Sequence, residues 1–177
     1  VVAVTSVEGG NVQFVLLAVE AIDAGFGDGD DTITGTAEDD IIDGGAGDDQ
    51  IIVSDALFFE ITTGEGADTV ALGAQLRDAF EPVTITDFDP TEDTLVLALE
   101  TRTWADIFDP PRPVGVGISI VRDVDANETL VTASIPAVLE EFAALYGLSV
   151  ILEGAPDITE SDVVIVEQLP DPLAAAA

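Results

Sequence analysis

The chain has 177 residues, enough for one domain with a hydrophobic core or for two small ones. Its 36 acidic residues stand against 4 basic ones, and the formal charge of −32 excludes nucleic acid as a partner, because phosphate binding needs a basic surface. The absence of cysteine and histidine excludes disulfides, thiolate nucleophiles and zinc knuckles. Oxygen ligands remain, and these suit hard cations.

No membrane insertion is expected, because the longest apolar run, Phe14 to Val19, is far too short to span a bilayer. The first residues lack the basic region of a cleavable secretory signal. They also lack an initiator methionine, so we expect a processed product or an excerpt. Residues 1–18 are predicted to form an N-terminal β cap, with a turn at Gly9 and Gly10. Residues 19–22 are expected to form the first rung of the structure that follows.

Residues 27–53 contain nine carboxylates, and they repeat with a period of nine. Asp31, Asp40 and Asp49 are the sixth residues of successive blocks, and Asp68 takes that place in a fourth block. Each block begins with a small or glycine-rich turn. The blocks read FGDGDDTIT from 26, GTAEDDIID from 35, GGAGDDQII from 44 and TGEGADTVA from 63.

A short strand follows each turn, and its middle residue is apolar. Alternation along a strand predicts that these residues point inward while their neighbours mostly face outward. The inward set is Ile33, Ile42, Ile51 and Val70, and the outward set is Thr32, Thr34, Asp43 and Gln50. Two blocks would make one coil of a parallel β-roll, so Asp31 would lie over Asp49. Stacked carboxylates repel unless a divalent cation lies between them, and calcium fits this requirement.

These blocks resemble the GGxGxDxUx repeat of the RTX (repeats-in-toxin) calcium-binding family, whose members are secreted by type I systems. The resemblance implies Ca²⁺ held by aspartate side chains and turn carbonyls of superposed turns. It also implies a secreted protein, extracellular or at the cell surface. By position, the implied side-chain ligands are Asp31, Asp40, Asp49 and Asp68. The implied carbonyl ligands are Gly27, Gly29, Gly45, Gly47, Gly64 and Gly66.

The sequence also departs from the family pattern. Thr36 and Glu38 replace glycines in the second block, and a ten-residue variant separates the third and fourth blocks. Asp49 and Asp68 are therefore nineteen residues apart. Asp40 has no clear partner unless Glu60 or Asp55 substitutes.

The segment 83–98 alternates about an Asp-Pro turn and is similar to the segment that closes the roll in RTX proteins. Asp87, Asp89 and Asp93 either hold another ion or act as turn formers and solvated charges, and the second interpretation is favoured. The roll is predicted over residues 19–100.

Residues 101–168 are predicted to form a β-rich capping region. A hairpin is expected over 117–134, an amphipathic helix near 136–146, and a strand, a turn and a strand over 148–169. Residues 169–177 resemble a tail, which is either a secretion signal or a frayed terminus. The predicted fold class is therefore mainly β, a short parallel β-roll flanked by strands and hairpins, with one C-terminal helix.

No catalytic constellation is recognisable, because the acidic residues fall in turns and no histidine activates the serines, so we expect no enzyme. Two functions remain. The first is a structural protein that forms homo-oligomers or polymers, such as a surface-layer, filament or sheath subunit. The second is a C-terminal calcium-folding and type I secretion module of a larger secreted hydrolase or toxin, which the absent methionine motivates.

Overall fold

The computed structural model describes residues 2–8, 11–16, 23–35, 40–54, 59–74, 82–99, 116–134, 147–166 and 168–169. These residues form two seven-stranded sheets and one short 3-10 turn, Glu160–Asp162. The predicted class, mainly β with a parallel β-roll, is confirmed. In these ranges no helix has the length and apolar character needed to cross a bilayer.

The two sheets, named A and B, are built from strands that alternate along the chain. Sheet A has the spatial order β1 (Val2–Glu8), β2 (Asn11–Leu16), β4 (Thr32–Thr34), β6 (Gln50–Ser54), β8 (Thr69–Ala74), β10 (Thr94–Leu99) and β14 (Val163–Val166). Sheet B has the order β3 (Asp23–Gly25), β5 (Asp40–Asp43), β7 (Phe59–Thr62), β9 (Val83–Ile85), β13 (Gly147–Glu153), β12 (Glu128–Ser134) and β11 (Gly117–Asp123).

Five coils of the roll each combine one strand from sheet B with the next strand of sheet A. The first four run from β3 to β10 without interruption, and all neighbouring strands among them are parallel. The fifth consists of β13 and β14, which pair in parallel with β9 and β10. The division of the chain into regions stays a prediction. The fifth coil, however, lies beyond residue 100, where the roll was predicted to end.

An antiparallel hairpin extends each end of the roll, on opposite sheets. At the N-terminal end, β1 and β2 extend sheet A beyond β4. At the C-terminal end, β12 and β11 extend sheet B beyond β13, with a turn at 124–127 that confirms the predicted hairpin. The Nε–H of Arg122 donates to the carbonyl of Ala155 at 2.7 Å and ties this hairpin to the loop after β13.

Inward-facing aliphatic residues form the core, and in each sheet one column of them lies directly above one another. In sheet A the register aligns Ile33, Ile51, Val70 and Leu95. In sheet B it aligns Ile42, Ile61, Ile85 and Leu152. Each of these eight side chains is at most 1% exposed. The predicted inward set is therefore confirmed, and of the predicted outward set Asp43 is exposed while Thr32, Thr34 and Gln50 are partly exposed.

Four predictions lie outside the described residues: the turn at Gly9 and Gly10, the rung at 19–22, the helix near 136–146 and the tail beyond residue 169. The strand, turn and strand predicted near the C-terminus are present as β13, the loop 154–162 and β14.

Candidate metal centre

Four turns that lead from sheet B to sheet A lie above one another along one edge of the roll. They are turn 1 (residues 26–31), turn 2 (44–49), turn 3 (63–68) and turn 4 (86–93). Parallel bridges join Asp28 to Ala46 and Ala46 to Glu65. Backbone hydrogen bonds follow the stack, because the N–H of Ala46 donates to the Gly27 carbonyl at 2.8 Å and that of Glu65 to the Gly45 carbonyl at 2.9 Å.

Two columns of glycines with left-handed backbone give these turns their shape. Gly27, Gly45 and Gly64 have φ of 99°, 100° and 106°, and Gly29, Gly47 and Gly66 have φ of 138°, 130° and 141°. A β-carbon at Gly45 would collide with the Gly27 carbonyl, and one at Gly64 with the Gly45 carbonyl. Glycine is therefore required both by the backbone angle and by the close approach of the turn below.

The last residue of each turn is an aspartate, and the four aspartates form a ladder. The carboxylate of Asp49 accepts from the N–H of Asp31 at 2.8 Å, and that of Asp68 accepts from the N–H of Asp49 at 2.8 Å. Asp93 continues the ladder by accepting from the N–H of Asp68 at 3.1 Å. Asp31, Asp49 and Asp68 are at most 3% exposed. The predicted superposition of Asp31 on Asp49 is therefore present.

Each of the two central carboxylates uses only one oxygen in this ladder. Oδ2 of Asp49 and Oδ2 of Asp68 are buried and accept no hydrogen bond. A buried, unpaired carboxylate oxygen is costly, so it points to a ligand that neutralises it. A β-carbon built on Gly44 would touch both Oδ2 of Asp49, at 2.7 Å, and the carbonyl oxygen of Thr63. The space that Gly44 leaves open is thus lined by oxygen atoms.

Burial makes this part of the ladder electrostatically unfavourable without a counter-charge. Desolvation raises the pKa of Asp49 to about 6, and the charges of Asp68, Asp31 and Asp30 act in the same direction. Desolvation likewise raises the pKa of Asp68, with a further contribution from Asp93. A divalent cation beside these oxygens would remove both the desolvation cost and the mutual repulsion.

The oxygen-rich edge fits a hard cation held by carboxylates and backbone carbonyls together. No group of three or more acidic side chains among the described residues is arranged to hold a metal by itself. Backbone carbonyls therefore have to complete any coordination shell, which is usual for calcium. The Gly27 and Gly45 carbonyls already accept one hydrogen bond each, but a carbonyl oxygen has a second lone pair.

A second, exposed ladder runs beside the first and in the opposite direction. Oδ1 of Asp30 accepts from the N–H of Asp48 at 3.0 Å, and Oδ1 of Asp48 accepts from the N–H of Ala67 at 2.9 Å. These aspartates precede the buried ones by one residue. Carboxylates of the two ladders therefore link turn 2 both to turn 1 and to turn 3.

Turn 4 joins the stack through hydrogen bonds to carboxylates. Oδ1 of Asp87 accepts from the N–H of Thr63 at 2.8 Å and from its hydroxyl at 2.9 Å, and Oδ2 accepts from the N–H of Gly64 at 3.0 Å. Asp93 accepts from the N–H groups of Asp68 and Asp89. Asp89 closes its own turn by accepting from Thr91, and these hydrogen bonds lower its pKa. Of the two roles considered from the sequence, the turn-forming one suits Asp89.

The structure brings nine of the ten predicted site residues to this edge and leaves Asp40 apart. Asp40 begins β5, at the end of the strand away from the stacked turns, and its register partner is Phe59. Glu60 pairs with Ile41 instead, and Asp55 lies outside the described residues. The ligand assignments stay predictions. Residues that the sequence interpretation missed are Asp30, Gly44, Asp48 and Thr63.

Stacked glycine turns, a ladder of buried aspartates and inward aliphatic columns define the class, a parallel β-roll of the calcium-binding type. Residues 27–55 match the family described as the RTX calcium-binding nonapeptide repeat (4 copies). The chain thus contains RTX-type repeats of the calcium-binding kind. The match ends before turn 3, and the structure shows that turns 3 and 4 continue the same stack. A comparison with curated proteins gives no match.

Proposed function

We propose that this chain is an extracellular, non-catalytic protein that folds when it binds calcium and then assembles with copies of itself as a surface-layer, filament or sheath subunit. The observation that carries the calcium-dependent part is the pair of buried, unpartnered oxygens, Oδ2 of Asp49 and Oδ2 of Asp68. Where free calcium is scarce, repulsion along the ladder opposes folding. Where calcium is abundant, its binding free energy becomes folding free energy.

The structural role is supported by what the described residues contain. They consist of a stacked scaffold, an ion-binding edge and hairpins at both ends of the roll. Exposed edge strands are natural surfaces for pairing with another chain. Localisation outside the cell is proposed because calcium-dependent folding needs a compartment rich in calcium and because RTX repeat proteins are generally secreted.

Calcium titration of the purified chain tests the folding part. We expect little β-structure by far-ultraviolet circular dichroism in chelator and a cooperative gain on adding calcium. Asp49→Asn should weaken this calcium response by more than about tenfold, since even residues that only support ligands commonly cost that much. Asp125→Asn, at the exposed hairpin turn, is the matched control and should leave the response unchanged. Equal responses of the two variants would contradict the assignment.

Light scattering and electron microscopy of the calcium-loaded chain test the assembly part. We expect particles that grow with protein concentration and disappear in chelator. A chain that stays monomeric at high concentration, although calcium has folded it, would contradict the structural role. The alternative of a folding and secretion module would then be favoured, and a catalytic domain encoded upstream would establish it.

A further inference from the structure

The two ends of the roll have complementary shapes. At the N-terminal end sheet A extends two strands, β2 and β1, beyond the first coil, whereas sheet B stops at β3. At the C-terminal end sheet B extends two strands, β12 and β11, beyond the last coil, whereas sheet A stops at β14. Among the described residues, each end therefore has a two-strand projection on one sheet and an equal recess on the other.

We propose that the chain stacks head to tail with a second copy of itself, so that both sheets continue across the junction. This inference rests on the proposed self-assembly and specifies the surfaces that it uses. In sheet A, β14 of one copy would lie beside β1 of the next. In sheet B, β11 of the first copy would lie beside β3 of the second. Each two-strand projection then fills the recess of its neighbour, and neither sheet has a gap.

Strand directions allow both contacts. Since β14 and β2 share the direction of the coil strands of sheet A and β1 is antiparallel to β2, the junction of β14 with β1 would be antiparallel. Since β11 and β13 are both antiparallel to β12, β11 runs in the direction of the coil strands, and its junction with β3 would be parallel. Both arrangements are ordinary β pairings.

Among the described residues, β14 is an edge strand of sheet A and has none of the usual protection against pairing. Its four residues are valine and isoleucine, without the charge or proline that commonly blocks edge pairing, and Val164 is 44% exposed. The described residue Leu169 lies against Gly73 of β8, two strands in from β14 in sheet A. The pairing of β1 with β2 shifts in register between Val4 and Ser6. We therefore expect β14 of the neighbouring copy to pair with the part of β1 on one side of that shift.

A head-to-tail contact between different surfaces generates an open filament unless the rotation between copies closes a ring, and stacking along the axis of the roll does not close. Each copy adds seven strands to each sheet. At the usual strand spacing of about 4.8 Å, the subunit repeat along the axis is about 34 Å. A translation along the axis also lets the twist of successive coils continue from one copy to the next. Calcium is expected to promote stacking, because it lowers the charge of −32 that each copy carries.

Disulfide trapping tests the arrangement cleanly, because the chain contains no cysteine. Val164→Cys in β14 is combined in turn with Ser6→Cys and Val7→Cys in β1, which are consecutive paired positions on one side of the register shift. In calcium and mild oxidant, we expect at least one combination to give a ladder of dimers, trimers and larger species on a non-reducing gel. Each single variant should give dimers at most. Circular dichroism in calcium verifies that the variants fold.

The control combination is Val164→Cys with Val121→Cys, which places both cysteines at the C-terminal end, on β14 and β11. In a two-fold arrangement with C-terminal ends together, this combination would trap closed dimers and the β14–β1 combinations would give no ladder. That result would overturn the proposal. If the wild-type protein forms particles in calcium but no β14–β1 cysteine combination gives a ladder, the head-to-tail proposal is also overturned. The proposed function would then remain. The absence of wild-type particles would instead contradict the proposed self-assembly.

Electron microscopy of wild-type particles gives an independent measurement. We expect an axial repeat near the calculated 34 Å, and a repeat near twice that length would indicate paired, two-fold units and contradict head-to-tail stacking.

Discussion

At the scale of single residues, the calcium-binding edge depends on atoms that pair across turns and not within them. Asp49 accepts a hydrogen bond from Asp31 in the turn before it, and its own N–H donates to Asp68 in the turn after it. The glycines act in the same way, since the Gly45 position is limited by the Gly27 carbonyl. A substitution in one turn is therefore expected to disturb the turns next to it in the stack.

Gly45→Ala and Gly27→Ala form a matched pair that separates backbone strain from stacking. The two residues have nearly equal φ, 100° and 99°, so alanine is equally strained at both. A β-carbon at Gly45 collides with the turn below, whereas one at Gly27 meets nothing within 4 Å. We expect Gly45→Ala to lower calcium affinity and the free energy of unfolding more than Gly27→Ala does. Calorimetry measures the calcium affinity, and urea unfolding in calcium measures the free energy of unfolding. Equal losses in the two variants would mean that contact between stacked turns contributes little.

The protonation of Asp49 predicts opposite effects of pH with and without calcium. Burial raises its pKa from 3.8 to about 6, so between these values the folded chain binds more protons than the unfolded chain. In calcium-free buffer, the stability of the roll should therefore increase as pH falls through about 6. With calcium present, protons compete for the same oxygens, so the calcium concentration needed for folding should rise over that pH range.

Circular dichroism at pH 7 and pH 5, in calcium-free and calcium-containing buffers, measures this reversal. Asp49→Asn is the control, because it has no carboxylate to titrate and should show a weaker dependence in both buffers. The same direction of change with and without calcium would contradict the role given to Asp49.

At the scale of strands and turns, alternation decides which residues enter the core. In β5 the two adjacent isoleucines have opposite environments, since Ile41 is 49% exposed and Ile42 is 1% exposed. Ile42 lies in the sheet B column with Ile61 and packs in the shared core. The strand is only four residues long, so its stability depends on this packing more than on its own length.

Ile42→Ala should destabilise the calcium-loaded roll far more than Ile41→Ala. Truncating a buried isoleucine usually costs about 2–5 kcal/mol of unfolding free energy, whereas surface changes usually stay within about 0.5 kcal/mol. Urea unfolding at saturating calcium, followed by circular dichroism, measures the two values. Similar losses would mean that the register of β5 is wrong by one residue.

Turn 4 is expected to stabilise the roll without responding to calcium. The carboxylate of Asp87 accepts from Thr63 and Gly64, and removing its charge weakens charge-assisted hydrogen bonds worth about 1.5–3 kcal/mol each. Asp87→Asn should lower the unfolding free energy while the calcium concentration for half-maximal binding to the folded chain stays the same. Glu92→Gln, exposed in the same turn, should alter neither. A large loss of calcium affinity in Asp87→Asn would instead make Asp87 a ligand.

At the scale of the whole molecule, the roll is a stack of coils in which each coil mainly contacts its neighbours. Such a stack needs terminal structure, because the outermost coils cannot bury both of their surfaces. Here each end is extended by a hairpin on a single sheet. In the part of the chain that the structure describes, this arrangement leaves complementary projections and recesses, from which the proposed head-to-tail assembly follows.

The sequence by itself determined the features that repeat at short range. The nine-residue period predicted the turns, the inward positions of Ile33, Ile42 and Ile51 and the position of Asp31 over Asp49. The lack of lysine, histidine and cysteine left a hard cation as the counter-charge. These features follow from local patterns, since the alternation of a strand and the conformation of a glycine turn depend on a few neighbouring residues.

Only the tertiary structure decided where the repeat continues after the pattern is lost. Asp93 lies twenty-five residues after Asp68, too far for the period to reveal, yet it accepts a hydrogen bond from the Asp68 N–H. The fifth coil, β13 and β14, is separated from the fourth by an insertion, and only its pairing with β9 and β10 identifies it. The physical reason is that these contacts are fixed by pairing between distant strands, whose register no local pattern records.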